Sequence, residues 1–95
     1  MIKNNEYFGG NVKSLGFENE EGSATVGVMD PGEYEFSTGL KEIMTIVSGS
    51  MKVQLPNATN WKTFQKGQSF EVPKNSKFQL QIDEPVAYFC SFIKE

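Results

Sequence analysis

One short segment of the chain carries residue types whose spacing suits ligand binding. Tyr34, Phe36 and Thr38 occupy every second position, with Glu35 between the first two and Ser37 between the last two. In a β-strand this spacing places all three side chains on one face. Glu42 follows closely. Two aromatic rings, a hydroxyl and a carboxylate in one place predict a pocket for a small, ring-containing molecule.

Two further residues are predicted to line the same pocket. Met44 has the same parity as Glu42, and Phe78 begins an apolar face on a later strand. Each residue also has a plain structural alternative. Met44, Phe36 and Phe78 suit ordinary core packing, a Thr38 hydroxyl at a strand end can bond the backbone, and Glu42 can be solvated. The convergence of these residues favours the pocket.

The amino-acid composition excludes several kinds of catalytic and binding site. The chain has 95 residues, no His, and 9 basic residues that are all Lys. Without His there is no Ser-His-Asp triad, no Cys-His dyad and no usual zinc site. Without Arg there is no bidentate clamp for phosphate. The single cysteine, Cys90, excludes an internal disulfide, suits a reducing cytoplasm and is interpreted as inert packing.

Charge and hydropathy exclude further classes of partner. The net charge of −3 argues against binding to a nucleic acid, because that needs a basic surface. No apolar run reaches the ~20 residues of a membrane span, and no signal-peptide core is evident. The expected protein is a single cytoplasmic domain over residues 1–95, without a nucleic-acid or membrane partner.

The elements that must position the pocket are predicted to be short strands. Glycine and proline recur every few residues, and the segments between them are rich in β-branched and aromatic residues. Only Lys41–Met44 admits a helical turn as an alternative. The fold class is therefore all-β, a sandwich or barrel. The predicted strands are Asn11–Phe17, Ser23–Met29, Glu33–Thr38, Ile43–Val47, Met51–Leu55, Trp61–Gln65, Ser69–Val72, Lys77–Ile82 and Val86–Ile93.

The spacing of five residues resembles the two motifs of cupins. Glu42 precedes Gly49 with six residues between them, and Gly67 precedes Pro73 with five. Phe78 follows at the last position of the second motif. The glycines suit tight turns, and Pro73 suits the start of a strand. The resemblance implies a single cupin-type barrel, that is, a double-stranded β-helix or jelly roll.

The cupin positions that hold a metal are filled by other residues. Phe36, Thr38 and Phe78 stand where three metal-binding histidines would stand. Glu42 alone would not hold a transition metal. We therefore expect no metal and no other cofactor, and a barrel mouth lined by aromatic rings.

Longer segments resemble one small cupin family, the pyrimidine/purine nucleoside phosphorylases of bacteria. The resemblance runs from about Asn4 to Phe92. The residues that carry it are Asn4 with Glu6-Tyr7-Phe8, Val12-Lys13-Ser14-Leu15-Gly16-Phe17, Ala24-Thr25-Val26-Gly27-Val28-Met29, Pro31-Gly32-Glu33-Tyr34-Glu35-Phe36-Ser37-Thr38, Leu55-Pro56-Asn57-Ala58-Thr59-Asn60-Trp61 and Val72-Pro73.

The resemblance implies a broad phosphorolysis of nucleosides. Purine and pyrimidine nucleosides would react with inorganic phosphate, the co-substrate, to give a free base and α-D-ribose 1-phosphate. It also implies a metal-independent homodimer, and the Tyr7-Phe8 pair suits the dimer face. The alternative is a non-catalytic cupin that binds a base or nucleoside.

On this resemblance, Glu42 and Thr38 are the expected catalytic residues. Glu42 would hold ribose hydroxyls and support developing positive charge, while Thr38 would donate to phosphate or ribose. The expected substrate-binding residues are Tyr34, Phe36, Met44, Phe78 and Ser91, the last in a segment where relatives have Leu-Cys-Arg.

Because the chain has no Arg and no His, only lysines and backbone N–H groups remain as candidates to bind phosphate. Lys13, Lys41 and Lys77 lie nearest the expected mouth in the sequence, although each also suits a surface role. A turn around Gly39 could offer backbone N–H groups to an anion.

Overall fold

A computed structural model describes residues Met1–Glu95, and β-strands account for 65% of them. There is no α-helix, and one short 3-10 turn covers Phe8–Gly10. The strands are β1 (Lys3–Tyr7), β2 (Val12–Asn19), β3 (Gly22–Met29), β4 (Gly32–Ser37), β5 (Lys41–Ser48), β6 (Ser50–Gln54), β7 (Lys62–Gln65), β8 (Ser69–Val72), β9 (Lys77–Ile82) and β10 (Val86–Ile93). The predicted all-β class is confirmed.

The strands form two antiparallel sheets that pack face to face. The larger sheet has the order β1-β2-β3-β10-β5-β8, and the smaller one has the order β4-β9-β6-β7. No strand of one sheet pairs with a strand of the other. The prediction of a single closed barrel is therefore not confirmed. The architecture is a two-layer sandwich with the core between the layers.

Nine of the ten observed strands were predicted from the sequence. Each of the nine predicted segments overlaps an observed strand, and Lys41–Met44 is extended rather than helical. The missed strand is β1, which pairs with β2 from Lys3↔Gly16 to Tyr7↔Val12. It lies at a sheet edge and is mostly exposed, so its sequence lacks the apolar alternation that reveals a half-buried strand.

Apolar side chains fill one end of the space between the sheets. Ile46, Met51, Val53 and Val86 are almost completely buried there, and they belong to a single cluster of 15 core residues. At the other end a cavity lies between the sheets, and its wall combines buried side chains such as Phe78 and Met44 with partly exposed ones such as Phe36 and Phe92. The sandwich is therefore packed at one end and open at the other.

Two turn glycines have the backbone that their cupin-like spacing predicts. Gly49 and Gly67 have φ values of +89° and +86°, a region that side chains rarely adopt. Pro73 differs from its prediction, because it follows the last residue of β8 and does not start a strand. The structure contains no helix with the length and apolar character needed to cross a membrane.

Candidate functional site

The open end of the sandwich forms a cavity of about 580 Å³. This volume lies within the ordinary range for small-molecule sites. The larger sheet supplies one wall, mainly from β5 and β10, and the ends of β4 and β9 supply the opposite wall. It is lined by 15 residues, which are Tyr7, Phe8, Ser14, Thr25, Met29, Glu35, Phe36, Ser37, Gly39, Glu42, Met44, Phe78, Tyr88, Cys90 and Phe92.

Four of the seven predicted site residues meet at this cavity. Phe36 and Phe78 are register partners on β4 and β9, and their rings stack with centroids 5.9 Å apart and an interplanar angle of 27°. Glu42 and Met44 project from β5 on the opposite wall. The period-of-two pattern therefore brings these four side chains to one place.

Tyr34 shares the face of Phe36 but lies deeper in the molecule and does not line the cavity. Its ring is buried in the core cluster, and its hydroxyl donates a hydrogen bond to the Asp30 carbonyl at 2.6 Å. The alternation of side chains along the strand correctly predicted that Tyr34 and Phe36 share one face of β4. It could not predict that Tyr34 lies within the buried core and only Phe36 reaches the cavity.

Thr38 and Ser91 also lie away from the cavity lining. β4 ends at Ser37, and the Thr38 hydroxyl donates to the Pro73 carbonyl at 2.6 Å and accepts from the Ser76 N–H at 3.0 Å. This is the backbone-bonded alternative for a hydroxyl at a strand end. Ser91 lies between two cavity residues of β10, so its side chain points to the other face of the sheet.

Glu42 is a partly buried carboxyl group in the cavity wall. The Cys90 thiol donates a hydrogen bond to its Oε1 at 3.4 Å. Burial raises the pKa of Glu42, and the thiol donor offsets only part of that rise. The carboxyl group therefore keeps its proton to a higher pH than an exposed glutamate and can donate that proton inside the cavity.

The Cys90 thiol is held in its protonated form. Burial is the largest cause that raises its pKa, and the neighbouring Glu42 adds to the effect. Since the thiolate is the nucleophilic form of cysteine, Cys90 is a hydrogen-bond donor here and not a nucleophile.

Tyr88 supplies a neutral hydroxyl to the same wall. Burial raises its pKa to about 12, against a smaller opposite effect of the Ser14 hydroxyl. The ring lies over Gly27, where a Cβ would be 2.6 Å from the Tyr88 Cζ. Only glycine leaves room for this ring. Ser14 also accepts a hydrogen bond from the Asn5 side chain at 3.3 Å, so the hydroxyls sit in a connected polar group.

Several cavity residues were missed in the sequence. Tyr88, Cys90 and Phe92 alternate along β10, and the same period that identified Phe36 could have identified them. Tyr7 and Phe8, which were expected on a dimer face, lie at the cavity. Their position depends on the turn after β1, and β1 itself carried no recognisable strand signal.

The three lysines considered for phosphate do not line the cavity. Lys41 pairs with Glu71 at 2.8 Å, and Lys77 lies 3.8 Å from Glu35, both on the surface. Lys13 is exposed. No basic side chain lines the cavity, and no three His, Cys, Asp or Glu side chains come together as a metal site.

A second cavity of about 580 Å³ adjoins the first at β1, β2 and β3. The two share three lining residues, which are Tyr7, Thr25 and Phe92. Lys3 is the only lysine that lines the second cavity, and it forms no salt bridge. The aromatic cavity therefore opens beside a more polar one that contains a free cation.

Solved structures place the fold among the cupins. An RmlC-like cupin from Shewanella frigidimarina superposes with a TM-score of 0.72 at 17% identity, over 96% of this chain and 82% of that one. A protein from Vibrio parahaemolyticus, described as of unknown function, is much more similar. Its TM-score is 0.94 at 45% identity, over 98% of this chain and 99% of that one.

Sequence comparison gives the family. A pyrimidine/purine nucleoside phosphorylase from Tolumonas auensis is 56% identical over 92 residues, which are 97% of this chain and 99% of the relative. The family model described as pyrimidine/purine nucleoside phosphorylase matches residues 2–92. On this full-length agreement, the chain belongs to the pyrimidine/purine nucleoside phosphorylase family.

Proposed function

We propose that the aromatic cavity is where this chain, a pyrimidine/purine nucleoside phosphorylase by family, cleaves its nucleosides. Glu42 is the observation that carries the proposal, since it is a partly buried carboxyl group with a raised pKa in the wall of a cavity rich in aromatic rings. A phosphate oxygen attacks C1′, and the bond from C1′ to the base nitrogen breaks with its electron pair on the base. The products are a free base and α-D-ribose 1-phosphate.

The aromatic side chains suit a broad range of bases. Phe36 and Phe78 provide stacked rings on one wall, and Met44 on the opposite wall is an adaptable neighbour. Stacking accepts any base, because every base presents a π-face. This arrangement supports activity on both purine and pyrimidine nucleosides.

Glu42 is the proposed general acid. The departing base carries the electron pair of the broken bond and needs a proton, and a carboxyl group with a raised pKa retains one to donate. After transfer, the carboxylate faces the positive charge on the ribose ring and stabilises it. Cys90 stays hydrogen-bonded to the Glu42 side chain and orients it.

Phosphate is proposed to bind where the two cavities meet. Lys3 supplies the positive charge, and the Asn5 amide and Thr25 hydroxyl offer further donors in the same cavity. Glu18 also lines this cavity, and its carboxylate already accepts a hydrogen bond from the Ser23 hydroxyl at 3.0 Å. Thr25 belongs to both cavities, so phosphate beside it would lie next to the nucleoside.

The three other predicted site residues, Tyr34, Thr38 and Ser91, are not proposed to contact the substrate. Tyr34 packs against the ring of Phe36 with centroids 6.3 Å apart, and Thr38 ties the end of β4 to the β8–β9 turn. Both therefore position Phe36 and do not contact the substrate. Ser91, on the opposite face of β10, has no proposed contact.

The assembly is proposed to be a cytoplasmic homodimer that needs no metal. The outer face of the larger sheet exposes apolar side chains on β2, β3 and β5, which are Leu15, Val26, Val28 and Val47. Each is about half exposed. A second copy of the same face would cover this surface and protect it from non-specific association. The buried single thiol suits a reducing compartment.

The first test measures whether base release depends on phosphate. Uridine is incubated with the protein, with and without inorganic phosphate, and uracil and ribose 1-phosphate are quantified by chromatography. We expect both products only with phosphate, and the same rate in the presence of EDTA. Uracil release without phosphate would indicate a hydrolase. No release would indicate the alternative, a non-catalytic module that binds bases or nucleosides.

Glu42→Gln should separate catalysis from stability. We expect kcat to fall by about 100-fold, because the amide is too weak an acid to protonate the departing base. The wild-type kcat should fall as pH rises above the raised pKa of Glu42, and this limb should vanish in the variant. Glu71→Gln, a change to a surface carboxylate, is the matched control and should retain full activity.

Glu42→Gln is expected to lower activity but to raise the stability of the folded protein near neutral pH. Burial favours the protonated form of Glu42, so the folded state binds its proton to a higher pH than the unfolded state does. The wild-type protein therefore loses stability as pH rises above the ordinary glutamate pKa, while Glu42→Gln does not. Urea unfolding should show a stability advantage of the variant that grows between pH 4 and pH 7. A variant less stable than wild type throughout would contradict this assignment.

Lys3→Gln tests the phosphate site. We expect the KM for phosphate to rise about tenfold, since a charged hydrogen-bond donor is lost, while the KM for uridine stays constant. Lys13→Gln removes a charge from the neighbouring strand outside both cavities and should change neither constant. Equal phosphate KM values for the two variants would exclude Lys3 as the phosphate ligand.

Val26→Lys tests the proposed dimer face. A lysine in the middle of the apolar patch should leave a folded monomer, with a mass near that of one 10.6 kDa chain by light scattering. Trp61→Lys changes an exposed apolar residue elsewhere and should leave a dimer. A dimeric Val26→Lys protein, or a monomeric wild type, would contradict the proposed interface.

A further inference from the structure

The turn after β1 contains a backbone conformation that its sequence does not favour. Phe8 has φ = +53°, and Gly9 and Gly10 follow at +66° and +94°. The other residues with a side chain in this region are Asn57 and Asn75, and asparagine tolerates it well. Phe8 is therefore the one residue at which the left-handed backbone is expected to be strained.

Burial of the ring does not compensate for this strain. The Phe8 side chain is 46% exposed and lies outside the buried core cluster. Its contacts are with two other rings, Tyr34 at 5.0 Å and Phe36 at 5.4 Å between centroids. A residue that is both strained and half exposed has a poor structural reason for its position, and such residues concentrate at ligand sites.

The unusual backbone determines where the ring points. Tyr7 ends β1 with its side chain at the cavity, so a continued strand would direct Phe8 to the opposite face of the sheet. The left-handed turn at Phe8 instead brings both rings to the cavity. Tyr7 and Phe8 each contact Phe36 edge to face.

We propose that Phe8 is a substrate-binding residue whose ring contacts the nucleobase at the cavity mouth. The inference rests on the proposed binding of nucleosides in this cavity. The ring contacts Tyr34 and Phe36, and its exposed part is available for stacking on a base. This contact does not depend on the hydrogen-bonding groups of the base, and its strength increases with the size of the ring system.

The test compares nucleoside binding and stability in the same variants. Calorimetric titration with uridine and inosine, without phosphate, measures Kd independently of turnover. We expect Phe8→Leu to raise Kd about tenfold for inosine and less for uridine, because the purine loses more stacking area. Phe8→Trp should bind as tightly as wild type. Trp61→Leu, which removes an exposed aromatic ring outside the cavity, should leave both Kd values unchanged.

A further variant separates binding from a structural role. Phe8→Asn also removes the ring but suits the left-handed backbone, so its Tm should be at least that of Phe8→Leu while its Kd is raised to the same extent. Wild-type Kd values in Phe8→Leu and Phe8→Asn would overturn the proposal. A wild-type protein that binds nucleosides but releases no base would overturn the proposed catalytic function and leave this inference standing.

Discussion

The site depends on the central position of β10 in the larger sheet. This strand pairs with β3 on one side and β5 on the other, so that Cys90 lies between Thr25 and Met44, and Phe92 lies beside Glu42. Antiparallel pairing joins strands that are far apart in the sequence, and the pleat directs alternate side chains to the same face. A slip of one residue in this register would turn the cavity residues outward.

The site also requires that side chains do not completely fill the space between the two sheets. The packed end holds the two sheets together, and the open end places a carboxyl group among aromatic rings where water is partly excluded. That environment raises the pKa of Glu42 and keeps the Tyr88 and Cys90 groups protonated. Desolvation is therefore the common cause by which this cavity, which contains no histidine, holds protonated groups that can donate hydrogen bonds.

The limits of prediction from sequence are visible at individual residues. Phe36, Glu42, Met44 and Phe78 meet at the cavity because the period of a strand determines which side chains share a face. Tyr34 has the same period, but the depth of the core decides that it is buried. Thr38 does not line the cavity, because the strand ends one residue earlier and local hydrogen bonds replace the pleat there.

The sequence by itself determined the all-β class, nine of the ten strands, the family and the absence of imidazole and guanidinium chemistry. These follow from composition and from patterns between near neighbours. Only the tertiary structure decided that Phe8, Tyr88 and Cys90 join the site, that the two sheets remain separate, and that Lys3 lies beside the aromatic cavity. The physical reason is that these features depend on strand register, sheet packing and a left-handed turn, which are set by contacts between distant parts of the chain.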